Sequence, residues 1–222
     1  MKKAGKALLI CGGAAALVAG SVFGTLAFLS DSEEAVNVFT IGKVSMSLAE
    51  TDVDGDGDTL RNEYRLVPGM EYTKDPTVTI DAGSEMAYVR MILTVHNHSA
   101  VQAIIDNEKN NLTDYADLLG GWDETSWIYE DFTVDEDANT IAFEFRYKET
   151  VDGFADDGSE ADQELPALFE TLKVPGTLDN DELQSLYDGG FKMVVEGHAI
   201  QSAGFENNED GAWIAFDGQT AE

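Results

Sequence analysis

Residues 86–97 alternate apolar and polar side chains at period two, and this pattern constrains the fold more than any other stretch. Val89, Met91, Leu93 and Val95 fall on one face; Tyr88, Arg90, Thr94 and His96 fall on the other. A strand with that alternation is half-buried in an antiparallel sheet. The same period recurs in Thr77-Val78-Thr79-Ile80, in residues 140–147 (Ile141, Phe143, Phe145 and Tyr147 on one face) and in 191–200. In that last run Phe191, Met193, Val195 and Ala199 point inward, and Lys192, Glu196 and His198 outward. Shorter strands are expected at 64–67, from Trp127-Ile128-Tyr129, and at 168–174, punctuated by Pro68-Gly69, Asp81-Ala82-Gly83-Ser84 and Pro175-Gly176.

Two stretches change period. Val101, Ile104, Ile105, Leu112, Tyr115, Leu118 and Leu119 recur at helical spacing and stop at Gly120-Gly121. Residues 178–187 read as a helix with Asp179 and Glu182 as a capping box and Gly189-Gly190 as the stop. Trp213-Ile214-Ala215-Phe216 reads as one helical turn or an edge segment, and Trp122 and Trp127 as core aromatics rather than a sugar platform. These elements imply an all-β fold: an antiparallel β-sandwich, jelly-roll-like, with short helical insertions.

Of 222 residues, 43 % are hydrophobic and eleven are Phe, enough for a real core. The formal net charge is −30, from 13 basic and 43 acidic residues. Such a surface attracts cations and repels nucleic acid, whose binding needs clustered Lys and Arg. The single cysteine, Cys11, follows Leu8-Leu9-Ile10, a poor lipobox, and reads as an apolar filler. The chain beyond it has no thiol for a disulfide.

The N-terminus is organised as an export signal. A basic start (Lys2, Lys3, Lys6) precedes an apolar Ala- and Gly-rich segment from Ala7 to Phe28. Leu29-Ser30-Asp31-Ser32-Glu33-Glu34 then turns abruptly acidic, and Asn37 to Leu48 alternates like an opening strand. The expected divisions are a signal peptide at 1–27, an N-terminal segment and candidate donor strand at 28–42, and one β-sandwich domain at 43–222. The chain would meet the membrane only before signal cleavage and then be extracellular, at the cell surface or in a matrix.

Gly24-Thr25-Leu26-Ala27-Phe28-Leu29-Ser30-Asp31, followed by Phe39-Thr40-Ile41-Gly42-Lys43-Val44, resembles the TasA/camelysin family. Leu66 to Asp75, followed by Ala87-Tyr88-Val89-Arg90, adds to the likeness, which covers the N-terminal half. The resemblance implies processing by a SipW-type signal peptidase and a role in the bacterial cell surface or biofilm matrix. It also implies self-association into fibres by strand exchange. Val36, Val38 and Ile41, with Phe39 on the opposite face, would be the donated residues. Camelysin-type members are described as metallopeptidases, yet the sequence holds no His-Glu-x-x-His, no G-x-S-x-G elbow and no phosphate loop. The expectation is a protein that is not an enzyme, with a metallopeptidase-like protein or a monomeric calcium-stabilised adhesion module as the alternatives.

Independently of that likeness, residues 52–63 follow the D-x-D-x-D-G-x5-E spacing of a calcium loop. Asp52, Asp54 and Asp56 take positions one, three and five, and Gly57 makes the turn. The Asp58 carbonyl takes position seven and Glu63 the bidentate position twelve. Carboxylates spaced by two in a tight loop converge on one hard cation, here with an extracellular-grade Kd of about 10⁻⁴–10⁻³ M. Thr59 stands where an aliphatic residue is usual, and no amphipathic helix flanks the loop. His96 and His98, both read on the outward face at the end of the 86–97 strand, form with His198 the only zinc-like pattern, and zinc is not expected.

Overall fold

The structure, a computed structural model, describes residues 30–33, 44–60 and 62–220. The signal segment and the donor candidates Val36, Val38, Phe39 and Ile41 lie outside the described residues. Strand β1 is Ser30–Glu33, β2 Met46–Ala49, β3 Glu71–Thr73, β4 Thr77–Ile80 and β5 Ala87–His96. Helix α1 (His98–Ile105), a 3-10 turn (Glu108–Asn110) and α2 (Tyr115–Leu119) follow. Then come β6 (Trp127–Asp135), β7 (Thr140–Tyr147), β8 (Gln163–Glu164), β9 (Thr171–Lys173), α3 (Asn180–Asp188), β10 (Lys192–Gln201) and α4 (Glu209–Thr220). The protein is mainly β, with every named strand pair antiparallel and few, short helices.

A five-stranded sheet runs β1-β10-β5-β7-β6; the other sheets are β2-β4-β8 and the pair β3-β9. The alternation of β5 does what its period dictates: Val89, Met91, Leu93 and Val95 are at most 1 % exposed. They share one core with Ile141 and Phe145 of β7 and with Met46, Val78 and Ile80 of the three-stranded sheet. Each such side chain stabilises the fold by about 1.5–3 kcal/mol through removal from water. The layers approach closely at Gly197, where an added Cβ would stand 2.5 Å from Met46 Cε and 3.2 Å from Val78 Cγ2. Trp127 is 1 % exposed in this core, its Nε1 donating to Pro166 O at 3.0 Å, while Trp122 is partly buried against it.

Four expectations need correction. Residues 64–67 form no strand; the Tyr72 hydroxyl spans the turn instead, donating to Arg65 O at 2.5 Å and accepting from Val67 N at 3.0 Å. The strand expected over 168–174 is only Thr171–Lys173. His98 is not on strand β5: Asn97 takes a left-handed φ of 57°, a conformation Asn tolerates, and starts α1. Residues 213–216 belong to a full helix, α4. Its Ala212, Trp213 and Phe216 bury against Ile200, with Tyr88 and Phe205 alongside, as a second cluster on the outer face of the five-stranded sheet. The capping box at Asp179 forms as the spacing predicts, Asp179 accepting from Glu182 N at 3.0 Å and Glu182 from Asp179 N at 2.9 Å.

Candidate metal centre

The acidic loop hangs from β2. Its neck is closed by Glu50 N donating to Thr59 O at 2.8 Å. Thr51 is pinned by Asp75, which accepts from Thr51 N at 2.8 Å and from its hydroxyl at 2.6 Å. Asn62 braces the inside, accepting from Val53 N at 2.9 Å and donating to Thr51 O at 3.0 Å. Below it Lys74 and Glu50 form an ion pair at 2.6 Å, with side chains only 7 % and 10 % exposed. A buried pair of this kind holds geometry, because separating the partners would leave a desolvated charge. Tyr64 closes the same side, donating to Thr73 O at 2.9 Å. Burial, with Glu50 adding to it, pushes its hydroxyl up to about 12.

The loop is shaped by its own backbone amides. Asp52 accepts from Gly55 N at 2.6 Å and Gly57 N at 2.9 Å, both glycines having φ near +80 to +90° (79° and 88°), where a side chain would be strained. Those amides, Gly55 first, hold the Asp52 carboxyl below its ordinary value. Asp54 accepts from Glu63 N at 2.8 Å, Asp56 from Asp58 N at 2.8 Å and Asp58 from Leu60 N at 2.9 Å.

Asp52, Asp54 and Asp56 each place one carboxylate oxygen within 4.8 Å of the others. The Glu63 carboxylate and the Asp58 side chain are not in this trio: Glu63 meets it through its backbone amide, and Asp58 turns its carboxylate onto the next turn. Three oxygens converging from a hydrogen-bonded loop suit a hard divalent ion, with further oxygens from backbone and water.

The histidines go elsewhere. His98 Nδ1 lies 3.1 Å from the Tyr115 hydroxyl, and His198 Nδ1 accepts from Arg90 Nε at 3.1 Å. Among the described residues, the Asp52, Asp54 and Asp56 group is the one set of three His, Cys, Asp or Glu with ligand atoms in mutual reach. A cavity of about 30 Å³ among Val101, Ile104, Leu118, Leu172, Leu178 and their neighbours is lined almost wholly by apolar groups. No helix of the described residues is long and apolar enough to cross a membrane.

Two features escaped the sequence. One is the outer-face cluster in which Arg90 of β5 lies over Trp213 and pairs with Asp217 of α4, and its only signal was an Arg in mid-strand with Asp217 far along the chain. The other is the aromatic face of β6, whose alternation is broken at Glu130-Asp131, so that Phe132 is out of phase with Tyr129 until the bulge there is known. Comparison of the chain with protein-family models, with curated proteins and with solved structures finds no match.

Proposed function

We propose that the chain is a secreted structural protein of the bacterial cell surface or biofilm matrix that assembles into fibres by exchanging its N-terminal strand. The three sheets around one core are read as a jelly-roll-like sandwich, and the acidic loop as a calcium site. The observation that carries the reading is at β1. This four-residue strand pairs with β10 from Ser30↔Ile200 to Glu33↔Gly197, at an edge of the five-stranded sheet. A short edge strand held by a few ladder bonds can be replaced by the same segment of a neighbour, which gains contacts at little cost in the strand it leaves.

The test is negative-stain electron microscopy of a chain starting near Phe28 beside one starting at Lys43, both in millimolar calcium. Filaments from the longer chain alone are the expected result. Filaments from both would keep the structural role and remove strand donation. Dispersed particles from both would pass the reading to a monomeric adhesion module or, if chelation abolished a peptidase activity, to a metallopeptidase-like protein.

Calcium has a separate readout. With a Kd of about 10⁻⁴–10⁻³ M, about 10 mM calcium should raise the unfolding free energy by about 1.4–2.7 kcal/mol. Thermal unfolding at matched ionic strength should show the gain in the native chain and lose it in Asp52→Asn/Asp56→Asn. An equal gain in both chains would mean general screening of the −30 charge and not a site.

A further inference from the structure

Strand β6 ends the five-stranded sheet, and from Ile128 to Thr133 every residue of it is exposed. Its ladder with β7 sorts its side chains cleanly. Tyr129, Phe132 and Val134 stand opposite Phe145, Phe143 and Ile141 on the core-side face. Asp131, Thr133 and Asp135 stand opposite Glu144, Ala142 and Thr140 on the other. Glu130 is the extra residue at the bulge between Tyr129 and Asp131.

The core-side face does not close over β6. Phe132 is 51 % and Tyr129 38 % exposed, yet both belong to a continuous ring system. Tyr129 is 5.6 Å from Phe145 and 6.2 Å from Trp122, and Phe132 is 6.2 Å from Phe143. No Lys or Arg occurs from Trp127 to Asn139, which carries Glu130, Asp131, Asp135, Glu136 and Asp137. Among the described residues, the edge therefore offers aromatic rings on one face, carboxylates on the other, and backbone groups outside any strand ladder between them, with Phe132 N held by Asp131 Oδ1 at 2.8 Å.

We propose that this edge binds an extended segment of another protein in which apolar and basic residues alternate, added as a sixth strand to the sheet. Alternation is what fits: one side chain in two meets Tyr129 and Phe132, and the next meets Asp131 or Asp135. The chain's own stretch of this type, Phe145-Arg146-Tyr147-Lys148, is already engaged, with Phe145, Arg146 and Tyr147 opposite Tyr129, Ile128 and Trp127. It shows on one side of β6 the pattern that the other side lacks. The β6 edge of a second copy fits poorly, because it would set Glu130, Asp131 and Asp135 against the same carboxylates. A polysaccharide would use the aromatic face and leave the carboxylate face and backbone unmatched.

The test uses the full chain and a blocked probe peptide, acetyl-Lys-Val-Lys-Phe-Lys-Val-Lys-amide, by calorimetry or fluorescence anisotropy. The expected result is saturable binding that weakens with salt and is absent for the same peptide with Glu in place of Lys. Tyr129→Ser/Phe132→Ser should weaken it about tenfold or more, since exposed aromatics flanked by charge carry most of such an interface. Asp157→Asn, an exposed position outside β6 in the segment between β7 and β8, should leave it unchanged. Equal binding to the native and double-serine chains would overturn the proposal as unspecific charge attraction, as would no binding at all. Binding of cellohexaose that the double-serine chain loses would overturn it in favour of a sugar platform. Self-association lost in that variant would overturn it in favour of a copy-to-copy contact.

Discussion

Arg90→Ala should lower the unfolding free energy by about 3 kcal/mol, the balance of lost packing, lost cation–π contact and relief of a desolvated charge. Arg90 is 4 % exposed although it lies on the outer face of β5. Helix α4 covers it: the guanidinium sits 4.5 Å over the Trp213 ring and 5.2 Å over Phe216. Its Nη2 pairs with Asp217, Nη1 reaches Asp217 at 3.2 Å and Glu144 at 3.4 Å, and Nε donates to His198. One side chain thus ties three strands to the C-terminal helix. Asp217 is 56 % exposed, so solvent screens that ion pair and the aromatic and packing contributions dominate. Arg90→Met keeps the volume and should cost about 1 kcal/mol or less, while Arg90→Lys loses the flat stack and the fork and should fall between. Urea unfolding of the three variants reads the order directly. A loss well under 1 kcal/mol for Arg90→Ala would mean that the Ile200, Ala212, Trp213 and Phe216 cluster holds the helix without the cation.

The sequence alone carried the core strands, because period two leaves no freedom once one face is buried: shifting β5 by a single residue would expose Val89, Met91, Leu93 and Val95 together. It carried α3 for an equally local reason, the Asp179 and Glu182 cap. It missed helix α4, whose Gly211 and Gly218 lower intrinsic helix propensity and whose stability comes from a sheet face formed by residues far away in sequence. Residues 64–67 failed in the opposite direction: a strand-like composition met no free partner, and the Tyr72 hydroxyl took its backbone groups. In the candidate site the spacing located Asp52, Asp54 and Asp56, which a tight loop must bring together. The position of the Glu63 carboxylate depends on the chain leaving the loop, which here runs into Tyr64 and not into a helix.

Acidification should release the same outer-face cluster at a pH set by His198. Burial first, and the Arg90 guanidinium second, push this imidazole down to about 4, against a smaller opposing pull from Asp217. Its Nδ1 accepts from Arg90, so the neutral ring carries its proton on Nε2, and the ring stacks 4.8 Å from Phe216. Besides Arg90 and Asp217, the charged group in this cluster is Glu144, 3.4 Å from Arg90 and bound to Arg146 at 2.7 Å; in the β1 register Ser32 is the partner of His198. Unfolded, the histidine takes up a proton near pH 6.5, and folded it does so only near 4. The unfolded state therefore binds more protons between those values, and the contribution is complete above pH 6.5 and lost as pH falls to 4. The loss amounts to about 3 kcal/mol. His96, also held low by burial and then by Lys192, acts in the same sense. Carboxyls held low, such as Asp123 by Ser126 and Asp179 by Lys109, keep their contribution through this window and lose it at lower pH. His198→Gln retains an acceptor for Arg90 and removes the titration. The difference in urea-derived stability between the native chain and this variant should shift by about 3 kcal/mol from pH 7 to pH 4, whatever the remaining charges do in common. Parallel profiles would show that His198 titrates as an ordinary surface histidine, and that the Arg90 contact does not hold it neutral.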